Sequence, residues 1–452
     1  MTLIQLFYLF LGLSILIILH ELGHFIPAKL FKTRVRKFYL FFDFLFPFSK
    51  IFPFSIFKKK IGDTEYGLGW FPFGGYVDIA GMVDETTSAD DLEKDDTPKE
   101  NQFRFKPAWQ RLIIMIGGVT VNMLLAMVIY AGLFWKYGEE YLPIKNMTSG
   151  VMVIDSIAYE LGLQNGDKLI ALDGEPIEYF ETFQKELLLN QANTLQIERD
   201  GVKKDLSVSK EFLGSLIQKK KELIVAPKLS FIIDTVLPEK PASKAGLIKG
   251  DEILAVNNIQ TPMYSDVMRS IKENKGKNIA LQIKRNNQLD SLSVTVGQDG
   301  KIGVGPNFDF SKIYQSEKID YNFAAAIAKG VMEPFSKLND YWKSLMLFSL
   351  PKVKVKDNLG GFYSMGKIYP NTWDWKAFWT ITALISVILA FMNILPIPML
   401  DGGYIVFLIY EMIVGKPLPE KVQNALQSVG LFIILGLMLL ANGMDIIRGI
   451  FG

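Results

Sequence analysis

The chain runs to 452 residues, long enough for more than one domain, and 49% of them are hydrophobic, gathered into runs rather than spread evenly. The net charge is only +2, so nothing in the balance calls for a nucleic-acid partner. Cysteine is absent, which excludes disulfides, thiolate metal sites and cysteine nucleophiles and leaves His and carboxylates as the ligands of any transition-metal site.

From the N-terminus, Leu3 to Leu30 is apolar enough to span a bilayer if its one polar turn lies inside the protein. No Lys or Arg precedes Lys29 and no cleavage site interrupts the run, so it reads as a retained helix rather than a signal peptide. That polar turn is His20-Glu21-Leu22-Gly23-His24, and it holds the only two histidines of the chain. Ionisable side chains at this depth are costly to place and mark a functional site by default. Positions four apart on a helix lie about 40° from eclipsed and about 6 Å along the axis, so His20 and His24 can chelate one ion. Glu21 sits where a carboxylate can take a proton from water, the arrangement of an H-E-x-x-H zinc protease helix. A pair of satisfied polar residues in a helix bundle is the plainer alternative.

Residues 31–110 follow as a loop. Lys29, Lys32, Arg34, Arg36 and Lys37 where the first span ends, together with Arg104, Lys106 and Arg111 before the second and with Lys416 and Lys421 further on, place 31–110 and 399–427 in the cytoplasm and both termini outside. Within the loop, 64–79 has the look of a β-hairpin and 84–101 that of an acidic, polar linker. The stretch from Trp70 to Val77 offers an edge to a substrate made extended; a structural re-entrant loop is the alternative. A second span covers 111–136. In it Asn122, near Gly117 and Gly118, reads as a packing residue of a close helix contact.

The large outer region repeats itself. Gly162-Leu163-Gln164-Asn165-Gly166-Asp167 returns 84 residues on as Gly246-Leu247-Ile248-Lys249-Gly250-Asp251, each time a turn feeding a buried strand. The copies, 145–225 and 226–308, resemble PDZ domains, modules that take an extended peptide as an added strand. Residues 319–350 read as amphipathic helix broken at Pro334, lying on the outer membrane surface or packed on the outer domain.

A third span, 376–398, ends in Asn393-Ile394-Leu395-Pro396-Ile397-Pro398-Met399-Leu400-Asp401-Gly402-Gly403, where two prolines break the helix. Non-helical backbone at this depth belongs in a protein interior or a cavity. Asp401 is the candidate third metal ligand, with a helix N-cap as its alternative role. Asn393 is placed to donate to a substrate carbonyl or oxyanion, or else to bond a neighbouring helix. Tyr404 to Val414 is too short to cross, and a fourth span covers 428–446.

H-E-x-x-H in the first span, Gly118-x-x-x-Asn122 in the second and N-x-x-P-x-P-x-L-D-G after the third together resemble the site-2 protease family. The tandem repeats narrow the likeness to the bacterial regulator of sigma-E protease type. The resemblance covers essentially the whole chain. It implies a polytopic α-helical membrane protein of four transmembrane helices, with a membrane-associated β-hairpin and two extracytoplasmic α+β PDZ-like domains, in the bacterial inner membrane. It implies zinc on His20, His24 and Asp401, Glu21 as catalytic base, and substrate contacts from Asn393 and from Gly74, Gly75, Tyr76 and Val77. The expected partners are the lipid bilayer and single-pass membrane proteins, such as anti-sigma factors after a first cleavage or remnant signal peptides, with the PDZ pair excluding intact substrates. Oligomeric state is left open. Two departures, Val119 in place of a common proline and Leu359-Gly360-Gly361-Phe362-Tyr363 in place of a glycine-proline-isoleucine element, touch no proposed ligand. The competing class is a membrane adaptor braced by a structural metal, but such sites are normally closed by four protein ligands, and two histidines without cysteine supply few.

Overall fold

A computed structural model describes residues 1–45, 51–72, 74–82, 97–220, 223–228, 231–261, 264–306 and 315–451. The chain divides into two compact units, one formed by 1–138, 320–345 and 354–452 and the other by 139–319 and 346–353. Most of the acidic 84–101 stretch lies outside the described residues.

Six helices carry the first unit: α1 (Leu3–Leu30), α2 (Ala108–Tyr137), α3 (Phe323–Met346), α4 (Trp375–Ile394), α5 (Asp401–Val414) and α6 (Glu420–Phe451). Of these α1, α2, α4 and most of α6 are long and apolar enough to cross a membrane. α1 starts with a reciprocal cap, the Thr2 hydroxyl accepting from the Gln5 N–H and the Gln5 side chain from the Thr2 N–H. α1 and α2 cross at Gly23 and Gly117, where a methyl on either residue would collide with the other's backbone. In a bilayer, where burial of apolar side chains gives no drive, such close backbone approach is what holds helices together. Ser386 of α4 donates to the Asn122 carbonyl of α2 at 2.7 Å, and Arg111 of α2 pairs with Glu411 of α5.

α3 is one helix running through Pro334 rather than breaking there. Proline inside a helix costs about 3 kcal/mol. Here that cost is offset by packing: Pro334 is buried, Gly330 seats on the backbone of Ala131, and Ala326 joins Tyr130, Phe134, Ala383 and Val387 in one apolar cluster. α6 touches the others at both ends through small and polar groups. Gly430 abuts Pro398, Gln427 donates to the Tyr404 hydroxyl at 2.7 Å, and Asp445 accepts the N–H groups of Gly361 and Ser364 at the start of the short helix Phe362–Ile368.

Between α1 and α2 the chain builds a four-stranded sheet of β1 (Val35–Leu40), β2 (Ser55–Ile61), β3 (Thr64–Gly69) and β4 (Tyr76–Ile79), in the order β2-β3-β1-β4. The 64–79 stretch is therefore not a hairpin. β3 pairs with β1 in parallel and β4 pairs with it antiparallel, one on each side. The hairpin instead joins β2 to β3 through Gly62-Asp63, with Gly62 at φ +61. The reason is β1 itself: with Val35, Phe38 and Tyr39 buried, it intervenes between the two strands that the turn-rich 70–75 segment connects.

In the second unit both copies of the Gly-Leu-x-x-Gly-Asp motif fold alike. Each has a four-residue helix (Ile157–Glu160; Pro241–Lys244), a strand (Lys168–Leu172; Glu252–Val256), a ten-residue helix (Phe180–Leu189; Tyr264–Glu273) and a two-strand hairpin (Thr194–Ser207; Asn278–Thr295). Each closes on its own apolar core, one around Phe183, Leu195 and Ile197, the other around Phe231, Leu281 and Ile283. The motif aspartates explain the repeat. Asp167 and Asp251 are both buried, cap the backbone N–H groups of Gln164 and Ile248, and take Arg199 and Arg285 through two hydrogen bonds each. The same arginines reach the carbonyls of Gly162 and Gly246. Burial works against the Asp251 charge, but Arg285 and the Ile248 N–H outweigh it and hold the carboxyl below its ordinary pKa.

Candidate functional site

The first unit brings His20, His24 and Asp401 together. Nε2 of His20 and Nε2 of His24 are 3.2 Å apart, and each lies 3.4 Å from Asp401 Oδ2. That oxygen is buried and has no hydrogen-bond partner. Three ligand atoms on a tetrahedral ion with bonds of 2.0–2.1 Å stand about 3.3 Å from one another, so the triangle has the dimensions such a site requires. Among the described residues it is the one cluster of three His, Asp or Glu side chains able to hold a metal.

Helix α2 supplies the support. Ile114, Gly118 and Asn122 follow one another at four-residue steps along one face, the face turned to α1. The Ile114 carbonyl accepts from His24 Nδ1 at 2.9 Å, which fixes that ring with its Nε2 lone pair toward Asp401. Gly118 lies against both imidazoles, and a methyl there would overlap His24 Nε2 and the edge of His20. Asn122 is buried with its amide nitrogen 3.2 Å from His20 Nδ1. The sequence alone reads Asn122 as packing; which way a side chain points from a span is a tertiary fact. Gly118→Ala is expected to lower bound metal, since overpacking of this kind costs about 1–3 kcal/mol, or about 10–100-fold. Gly132→Ala, on the same helix with nothing within 4 Å of the added methyl, is the control that should leave it unchanged; metal analysis of the purified proteins reads both.

Asp401 reaches the pair by a strained turn. α4 ends at Ile394, the Pro396–Pro398 segment turns back, Met399 takes a left-handed φ of 77°, and α5 begins at Asp401 itself. The helix is capped by Leu400 and no side-chain cap bond is made, so Asp401 is not an N-cap. Gly402 and Gly403 let the first turn of α5 press on the carbonyls of Ile394, Leu395 and Ile397, where a methyl would clash. A left-handed non-glycine residue costs about 1–2 kcal/mol, a strain this packing holds in place.

A cavity of about 120 Å³ opens on the triangle, room for several water molecules. Glu21, Tyr76, Val77, Asn393, Met399 and Tyr404 are among the residues lining it. Asn393 Nδ2 is 3.3 Å from His20 Nε2. Of the four β4-side residues singled out in the sequence, Tyr76 and Val77 line the cavity, while Gly74 and Gly75 are not among its lining residues. A methyl on Gly75 would stand 2.6 Å from Ile17 of α1 and 2.8 Å from the Tyr39 carbonyl, so glycine lets the strand seat on the histidine helix. Tyr76 donates to the buried Asp43 at 2.8 Å; burial, then that carboxylate, push its phenol well above the ordinary range and keep it neutral. In chemical terms the assembly is two imidazoles and a carboxylate for a divalent ion, a second carboxylate, an amide donor and a cavity with room for several waters.

Comparison with known proteins agrees with that chemistry. The description of peptidase family M50 matches residues 8–437. The chain is 26% identical to a regulator of sigma-E protease of Haemophilus influenzae and 28% identical to one of Escherichia coli K12, each alignment covering 97% of both proteins. It is 27% identical to a metalloprotease of Caulobacter vibrioides, over 99% of this chain and 96% of that one.

Proposed function

This chain belongs to peptidase family M50 and is a zinc metalloprotease, and from that premise we propose that it hydrolyses a peptide bond within or beside the transmembrane segment of single-pass membrane proteins. The observation that carries this reading is the His20–His24–Asp401 triangle, whose two histidines lie on a helix apolar enough to span a membrane and which opens on a cavity that Glu21 helps to line. His20, His24 and Asp401 hold the zinc. When bound, zinc supplies a Lewis acid and lowers the pKa of water to about 7. Glu21 takes the proton from the attacking water and delivers it to the leaving amine. Asn393 donates to the carbonyl oxygen as charge develops on it. A helical peptide bond is shielded from attack, and Tyr76 and Val77 of β4 receive the substrate as an unwound, extended segment.

The substrates in this reading are anti-sigma factors already trimmed by another protease, and remnant signal peptides. The charge bias supports an inner-membrane protein with its paired PDZ-like repeats outside, where they admit only substrates whose outer portion has been removed. A test uses purified protein in proteoliposomes with two versions of one single-span substrate, bearing either a short outer tail or a folded outer domain. The short-tailed version should be cut, with cleavage lost on chelation by 1,10-phenanthroline and restored by zinc. Equal cutting of both versions would remove the filter, and cleavage confined to water-soluble peptides would remove the intramembrane assignment.

A further inference from the structure

We propose that Asn122 is a positioning residue that accepts a hydrogen bond from Nδ1 of His20 and thereby sets the ring for metal binding. The proposal rests on the reading of His20 and His24 as zinc ligands. A histidine that offers Nε2 to a metal carries its ring proton on Nδ1, and the group facing that proton sets the ring's orientation and basicity. For His24 this group is the Ile114 carbonyl, which can only accept. For His20 it is the Asn122 side chain, eight residues further along the same face of α2.

The amide has two nearly isosteric ends, exchanged by a half-turn of its terminal bond. With Nδ2 toward the ring, as placed, a ring protonated on Nδ1 would meet another donor at 3.2 Å, and the buried Asn122 Oδ1 makes no hydrogen bond. With Oδ1 toward the ring, the Nδ1–H has its acceptor and Nε2 keeps its lone pair for the metal. The turn leaves Nδ2 where Oδ1 was and gains the ring bond. Asn122 is itself held, since its backbone carbonyl accepts from Ser386 Oγ at 2.7 Å and ties it to α4. Gly118 leaves the space in which both rings stand, so a Gly-x-x-x-Asn spacing places a gap and an acceptor one helical turn apart. The Gly118 carbonyl also bears on the His20 ring and is the competing acceptor.

The chain has two histidines in all, so selective ¹⁵N-histidine labelling gives two imidazoles whose protonated nitrogen can be read directly by NMR. The experiment compares wild type, Asn122→Leu and Asn122→Asp as full-length zinc-loaded protein in detergent, and measures zinc affinity in each by chelator competition. Wild type should show both rings protonated on Nδ1 and ligated through Nε2. Asn122→Leu, branched at the same atom but without an acceptor, should bind zinc about 10–100-fold more weakly and shift one ring only, His24 keeping its backbone partner. Asn122→Asp, which keeps the acceptor, should bind zinc within a few-fold of wild type. A packing role predicts the reverse order, with leucine tolerated and a buried aspartate harmful, and that order would overturn the proposal. So would a leucine variant in which both rings shift or neither does, the latter meaning that the Gly118 carbonyl suffices. If the leucine variant does not fold, the aspartate variant decides: wild-type rings and affinity uphold the acceptor role, and loss of either ends it. A wild-type protein whose imidazoles do not respond to zinc would refute the ligand reading itself and take this proposal with it.

Discussion

Glu21→Gln protein should purify with a full complement of zinc and cut nothing. Glutamine matches glutamate in shape, and position 21 is none of the three proposed ligands His20, His24 and Asp401, so metal content and fold should not change. What is lost is a group that can accept and return a proton. General acid–base catalysis contributes about 10²–10⁴-fold, and here one carboxylate serves both halves of the reaction, so the fall should lie at or beyond the upper end. Cleavage of a co-expressed single-span substrate, read beside zinc analysis of the purified protein, gives the answer. Retained zinc with unchanged cleavage would sink the proposed role; loss of zinc would mean that Glu21 supports the site in some other way.

The second large effect belongs to Asp401→Ala. It removes one of the three proposed ligand atoms, and two imidazoles alone do not close a tetrahedral site to one open position. Removing an outer-shell partner already costs about 10–100-fold in metal affinity, so removing a direct ligand should exceed about 100-fold and leave the purified protein nearly free of zinc. The helix should persist, because Leu400 occupies the cap position and Asp401 makes no cap hydrogen bond. Circular dichroism unchanged from wild type, with zinc gone, is the expected pair of results. A full zinc complement would show that Asp401 is not a ligand.

How much of this was legible before folding depended on how local each signal is. The His20–Glu21–His24 cluster is a matter of one helical turn, and the four spans are continuous apolar runs; both survive intact in the folded chain. The repeat was legible because the same short motif recurs, and the structure adds why it recurs: each aspartate caps its own turn and anchors an arginine about thirty residues later. The sheet beside the site was misread for the opposite reason. In sequence β1 reads as a basic flank of the first span, but its pairing with β3 and β4 joins residues far apart in sequence, so the 64–79 hairpin that the turn residues suggest is replaced by two strands flanking a third. Pro334 was read as a break, yet the glycine and alanine contacts on one face of α3 carry the helix through it.

Composition, spacing and apolar runs by themselves determined a membrane-spanning chain with a histidine pair at chelating distance, a carboxylate beside it and a repeated module. They also nominated Asp401 as the third ligand, with a helix cap as its alternative role. Where its carboxylate stands was tertiary. The Pro396–Pro398 turn, the left-handed Met399 and the glycine-thin first turn of α5 swing Asp401 Oδ2 to 3.4 Å from both imidazoles, some 380 residues away along the chain. The meaning of Gly118 and Asn122 was tertiary too. Periodicity says which residues share a helix face, but only the crossing of α1 on α2 decides which face meets the histidines.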